Sequence, residues 1–155
     1  MESLDRCDRR ILHALQRDAR MTLAALAEAV NLSPSQCSRR IVRLEQSGII
    51  KGHVLRLDPE AMGLKVTALI FLSMDKGRMV SPQNAVGKLL ARDEVIDCHA
   101  VTGHHDFILK VRVADLAELS HFLSTAVSPL EGIRDIATQV VMNTLKENGP
   151  LKVMP

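Results

Sequence analysis

Aromatic side chains are almost missing from this chain: it has three Phe and no Trp or Tyr in 155 residues. That excludes recognition of single strands or RNA loops through stacked aromatic platforms, which need several exposed rings. A reader of duplex DNA stays open. Long apolar runs are missing as well. The longest, Val66 to Met74, is under half of the roughly 20 residues that span a bilayer. The amino terminus, Met1-Glu2-Ser3-Leu4-Asp5-Arg6-Cys7-Asp8, is charged and carries no apolar stretch of the signal-peptide kind. A cytoplasmic location without a membrane partner is therefore expected. Cysteine is scarce: Cys7, Cys37 and Cys98 are odd in number, far apart and in no CxxC pair, so neither a disulfide framework nor a standard zinc module is indicated. Adjacent residues on a strand point to opposite faces, which argues against Cys98 and His99 as a metal pair. No phosphate-binding glycine loop, no nucleophile with a partnering base and no paired catalytic carboxylates stand out. Neither an enzyme nor a cofactor is expected.

What is present is an ordinary globular balance, 46% apolar and 25% charged residues, in a length that suits two small domains. The formal net charge is only +2. Its distribution says more: residues 1–60 hold ten Lys and Arg against eight Asp and Glu, whereas residues 61–155 hold ten of each. Between Ser33 and Arg56 five basic residues (Arg39, Arg40, Arg43, Lys51 and Arg56) face one acid, Glu45. Such a concentration suits the neutralisation of phosphates.

Leu4, Asp8, Ile11 and Leu15 recur at helical spacing behind the cap Asp5, predicting a first helix over about 5–18. Leu23, Leu26, Ala27 and Val30 behind Thr22 predict a second, and Asn31-Leu32 a break. Ser33-Pro34-Ser35-Gln36 combines a capping hydroxyl with Pro at the first helical position, a start signal for a third helix that Gly48 ends. At 100° per residue, Cys37, Ile41 and Leu44 share one face of it, with Ser35, Arg39, Val42, Arg43 and Gln46 opposite. Three helices with this short turn make a helix-turn-helix, whose last helix enters the major groove. Ser35, Gln36 and Arg39 are candidates for base edges, and Arg40 and Arg43 for phosphates. Ser33, the cap, completes the DNA-facing set. The alternative is an amphipathic helix with an ordinary solvated face.

Ile49 to Leu57 is β-prone and is expected to form a strand or wing before Asp58-Pro59 breaks it. Beyond it the pattern predicts strands over Lys65–Met74, Val95–Thr102, Phe107–Val113 and Ile133–Leu145, with helices over Gln83–Ala91 and Leu116–Val127. The order βαββαβ is the ferredoxin-like motif, an antiparallel sheet with both helices on one face. The fold class is thus α+β: a helix-turn-helix (winged-helix-like) domain over 1–57, a linker over 58–64, a ferredoxin-like domain over 65–147 and a loose tail over 148–155. One sheet face is left without helices, which points to a homodimer at least.

The residues Leu4-Asp5-Arg6-Cys7-Asp8-Arg9-Arg10-Ile11-Leu12, the run from Leu32-Ser33-Pro34-Ser35 through Arg43-Leu44-Glu45 and Gly48-Ile49-Ile50, the loop Val101-Thr102-Gly103-His104-His105-Asp106-Phe107 and the closing Val140-Val141-Met142 occur in one order. Together they resemble the leucine-responsive regulator (Lrp/AsnC) family over nearly the whole length. That resemblance implies a transcription regulator that binds double-stranded DNA, an effector domain for a small molecule, an amino acid by expectation, and dimers that assemble further into octamers. It places effectors between dimers, near Gly103, His104 and Asp106, with Leu116, Gln139, Val140 and Val141 as lining. A glycine at 103 permits a tight turn, and the Asp106 carboxylate suits an ammonium group. Alternatively, Asp106 only caps the turn and Gly103 only bends it. His104-His105 departs from the family loop, so an imidazolium there would favour an acidic effector or make binding pH-sensitive. Two rival functions stand beside this one. A regulator could coat or bend DNA without an effector, and some tetrapyrrole decarboxylases share the fold; the basic third helix argues against the latter.

Overall fold

The computed structural model describes residues 4–75 and 82–153. The chain divides into two compact units, Met1–Arg56 with Lys146–Pro155, and Leu57–Leu145. The first unit begins with α1, Arg6–Leu15, whose start is fixed by a reciprocal cap. The Asp5 carboxylate accepts the Asp8 N–H at 2.8 Å, and the Asp8 carboxylate accepts the Asp5 N–H at 3.1 Å. Helix α2, Leu23–Val30, starts at Thr22 and stops at Asn31, which takes φ 57°. There the Leu32 N–H reaches back to the Ala27 carbonyl, a left-handed stop that Asn tolerates and that turns the chain sharply. Helix α3, Pro34–Gln46, begins with the Ser33/Gln36 capping box. Gly48 closes it at φ +73°, with Gly48 donating to the Glu45 carbonyl and Ile49 to that of Leu44. The apolar sides of the three helices meet at Ile11, Leu26, Ala27, Val30, Cys37 and Leu44, all buried.

Two expectations change here. No strand forms over Ile49–Leu57; Val54 and Leu55 are 89% and 81% exposed in a segment with no strand partner to accept or donate its backbone hydrogen bonds. The segment from Lys146 onward also differs from a loose tail. The Leu151 N–H donates to Gln16 Oε1 at 2.7 Å, Gln16 Nε2 donates back to the Leu151 carbonyl at 3.3 Å, and Arg56 donates to the Asn148 carbonyl at 2.6 Å.

The second unit runs β1 (Val66–Met74), α4 (Pro82–Leu90), β2 (Val95–Ala100), β3 (Phe107–Val113), α5 (Leu116–Phe122) and β4 (Ile133–Val140). Its antiparallel sheet has the strand order β2-β3-β1-β4. Alternation decides the faces. On β1, Ala68, Ile70 and Leu72 are buried, and on β3 Phe107, Leu109, Val111 and Val113; they pack with Val86 and Leu89 of α4 and Leu119 and Phe122 of α5. Both helices therefore cover one face. The other carries Leu69, Phe71 and Ile108, each half-buried, among Thr67, Lys110 and Arg112. Helix α5 runs on into a π-helical turn, Leu123–Val127, where the Ser128 N–H reaches the Leu123 carbonyl at 2.8 Å. Strand β4 ends at Val140, five residues before the expected Leu145, since the segment beyond keeps a single ladder contact, Val141 N–H to the Thr67 carbonyl.

Candidate nucleic-acid interface and effector site

Helix α3 presents Ser35, Gln36, Arg39, Val42 and Gln46 to solvent, with Cys37 and Leu44 turned inward. Burial pushes the Cys37 thiol up from its ordinary pKa, so it behaves as a small core apolar group. Two of the expected DNA contacts have structural duties. Ser33 Oγ accepts the Gln36 N–H at 3.2 Å, and Gln36 Oε1 accepts the Ser33 N–H at 2.9 Å. These side chains hold the first turn of α3, with Gln36 exposed.

Arg40 and Arg43, expected to meet phosphates, are both engaged by carboxylates of the first helix and its cap. Arg40 Nη1 lies 2.6 Å from the Asp5 carboxylate and 2.7 Å from that of Asp8, and Arg43 Nη2 lies 2.6 Å from the second Asp8 oxygen. Asp8 is buried at 1% exposure, whereas Arg40 and Arg43 keep 26% and 44%. A carboxylate in that position needs both oxygens satisfied. The two guanidiniums therefore tie α3 to the start of α1 and still show part of their surface. The Asp8 N–H and then the Arg40 guanidinium hold the Asp5 carboxyl down from 3.8 to about 2, and the same acids raise Arg40 further above its ordinary value. Gln36, Arg39, Arg40 and Arg43 together border a polar hollow of about 270 Å³ on the outer surface of α3.

The signal for this clamp was in the sequence. Asp8 lies on the apolar stripe between Leu4 and Ile11, and an acid there requires a buried cation partner. The spacing Asp5-x-x-Asp8 also matches the reciprocal cap. What one helix cannot tell is which of the many arginines answers it.

In the second unit the loop from Val101 to Asp106 joins β2 to β3. Gly103 takes φ +118°, a conformation strained for any side chain, and no atom lies within 4 Å of where a Cβ would stand. The Asp106 carboxylate accepts the Met74 N–H at 2.7 Å, while its own N–H donates to the Leu72 carbonyl at 2.8 Å. Asp106 thus anchors the loop to the end of β1, the turn-capping alternative, with one carboxylate oxygen committed to the backbone. The buried Ser73 hydroxyl lies 3.3 Å from the His104 carbonyl and 3.2 Å from His105 Nδ1. The His105 ring sits on Phe71 at 5.2 Å and on His104 at 5.0 Å. Only His104 of the pair is exposed.

Leu116, 60% exposed, Gln139, Val140 and Val141 lie elsewhere. Leu72 pairs with Phe107 at the loop end of the sheet, whereas Ala68 pairs with Val140 and Thr67 with Arg112 at the other end. Five residues of strand separate them, about 16 Å. One copy of the chain brings Gly103, His104 and Asp106 together in one loop and leaves Gln139–Val141 at the other end of the sheet, with Leu116 three residues past the end of β3. Among the described residues no cluster of three His, Cys, Asp or Glu fits a metal ion, and no helix is long and apolar enough to cross a membrane.

Residues 4–45 match the AsnC-type helix-turn-helix domain, and residues 67–151 match the Lrp/AsnC ligand binding domain. The chain belongs to the Lrp/AsnC family. It is a helix-turn-helix transcription regulator with a domain for a small ligand. It is 34% identical to the leucine-responsive regulatory protein of Escherichia coli K12, across 98% of this chain and 93% of that one. To its Haemophilus influenzae counterpart it is also 34% identical, across 94% and 88%. Among solved structures, a transcriptional regulator of Neisseria meningitidis in complex with L-Met superposes with a TM-score of 0.91 at 32% identity, covering 97% of both chains. AsnC of E. coli gives 0.83 at 28% identity, covering 94% of this chain and 97% of that one. For this Lrp/AsnC chain the α+β architecture and the duplex reader expected from α3 agree with these matches.

Proposed function

We propose that two copies of the chain hold their α3 helices against a pseudo-palindromic duplex in the cytoplasm, and that an amino acid sets their affinity for it. The outer face of α3 carries this reading. Arg39 is fully available there to a guanine edge, Ser35 and the Gln36 amide nitrogen to neighbouring bases, and Val42 to a thymine methyl group. Arg40 and Arg43 meet phosphates with the part of each guanidinium that Asp5 and Asp8 leave uncovered, at the hollow beside Arg39.

The copies meet through the open sheet face, where Leu69, Phe71 and Ile108 remain half-buried in one chain, and further assembly to an octamer brings more sheets together. An effector seat with Gly103, His104 and Asp106 on one side and Leu116 and Gln139–Val141 on the other is completed only between chains, because one sheet separates them. An apolar amino acid suits the exposed Leu116 and Val140, and the L-Met bound by the Neisseria relative is of that class. The exposed His104 is the residue that would draw an acidic side chain instead. Control follows if the effector binds one arrangement of the chains more tightly than another; equal affinity shifts nothing. No step here calls for a catalytic group. Arg39→Ala should weaken binding to a cognate duplex by about 1–3 kcal/mol and leave a scrambled duplex nearly unchanged. Equal weakening of both duplexes would take base reading away from Arg39.

A further inference from the structure

Helix α1 turns Asp8, Ile11 and Leu15 toward the core and the clamp, and its opposite side carries Arg6, Arg10 and His13, with Arg17 just past its end. Arg6, Arg10, His13 and Arg17 follow one another at i, i+4, i+7 and i+11, all exposed. Among the described residues none of Arg6, Arg10 and Arg17 forms an ion pair. Such a stripe is unfavourable for the helix itself. The like charges of Arg6 and Arg10 at i and i+4 cost a few tenths of a kcal/mol, and Arg6 stands at the positive end of the helix dipole.

These cations border a hollow of about 700 Å³, in the range of small-molecule sites. Arg9 also lines it, and the rest of its wall is apolar: Ala14 of α1, Met21, Ala29 and Val30 from the α2 region, and Val153 from the carboxy-terminal segment. Val153 is held there because Leu151 exchanges two hydrogen bonds with Gln16, one residue before Arg17. A cationic rim around an apolar wall selects for two properties at once. We propose that this hollow binds a small organic anion with an apolar body, of the class of medium-chain carboxylates. The carboxylate meets Arg10 and Arg17, and the hydrocarbon covers Met21, Val30 and Val153. A nucleic-acid backbone would use the rim and leave the wall bare. The site lies in the DNA-binding unit and is separate from the effector seat of the other unit. Val30, in the wall of this hollow, directly precedes the Asn31 turn of the helix-turn-helix.

The test is isothermal titration calorimetry of the full-length protein with decanoate below its micellar concentration, and in parallel with decyltrimethylammonium and with inorganic phosphate. Decanoate should bind once per chain, the cation of equal length not at all, and phosphate at least about tenfold more weakly. The double variant Arg10→Glu/Arg17→Glu, on an exposed face, should keep its melting temperature and lose affinity for decanoate by about tenfold or more. Unchanged decanoate binding in that variant, equal binding of phosphate, or no decanoate binding would overturn the proposal. So would an equal loss of affinity for a random duplex, which would assign the stripe to the DNA backbone.

Discussion

Asp8 carries more of the first unit than any other polar residue. It closes the cap of α1 and receives Arg40 and Arg43 while itself buried. The net energy of such a triad is small, because desolvation offsets attraction, but breaking it strands charge. Asp8→Asn should therefore lower stability by about 2 kcal/mol, less than the ~3–5 kcal/mol of a wholly buried pair because both arginines can turn to solvent. Urea denaturation followed by circular dichroism measures it; a change within a few tenths of a kcal/mol would contradict the clamp. Acid probes its neighbour. Asp5 has its carboxyl lowered from 3.8 to about 2 in the folded chain. Its contribution is thus fully present above pH about 4 and is lost as pH falls toward 2. Melting temperatures across that window should fall more steeply for the natural chain than for Asp5→Asn, and parallel curves would remove Asp5 from the clamp. Residue by residue, the outward set of α3 was legible from 100° periodicity, as Ser35, Arg39 and Val42 show. The partners of Arg40 and Arg43 were not, since they come from 32 to 35 residues away, and helical spacing knows nothing of a neighbouring helix.

Elements whose ends carry their own chemistry were read closely. Ser33-Pro34 begins α3 and Gly48 stops it, each through bonds made within a few residues. Strand β3 was placed at Phe107–Val113, because a strict alternation of buried and half-buried residues runs its full length. Elements that depend on a distant partner were read less well. Ile49–Leu57 has β-branched and apolar residues but no ladder in a single chain, and Ile133–Leu145 kept its strand only to Val140, where β1 runs out. The π-helical turn at Leu123–Val127 follows from the widening of one hydrogen-bond ring, which periodicity does not register. The sheet also leaves a face unpartnered. Ile108 on β3, beside Leu69 and Phe71 on β1, is half-buried on that face. Light scattering should give at least a dimer for the natural chain and a lower mass for Ile108→Asp, whose charge the packed face cannot accept. Identical masses would place the interface elsewhere.

The whole molecule joins a duplex reader to a ligand-binding sheet, and its family was legible in four short runs that span both units. The fold followed from local spacing, and the family from the resemblance of those runs. The proposed effector seat was less legible, because Gly103 and Val140 are held at opposite ends of one sheet. Asp106, read as a partner for an ammonium group, commits one carboxylate oxygen to the Met74 N–H, a bond that no local spacing announces. Fluorescence anisotropy of the full-length protein with its own upstream DNA and with a scrambled duplex, over a salt series and with each common amino acid added, tests the union of the two units most directly. Binding should be selective for the upstream DNA, weaken steeply with salt and shift with one or a few apolar amino acids. Equal binding to both duplexes, or selective binding that no amino acid moves, would contradict it.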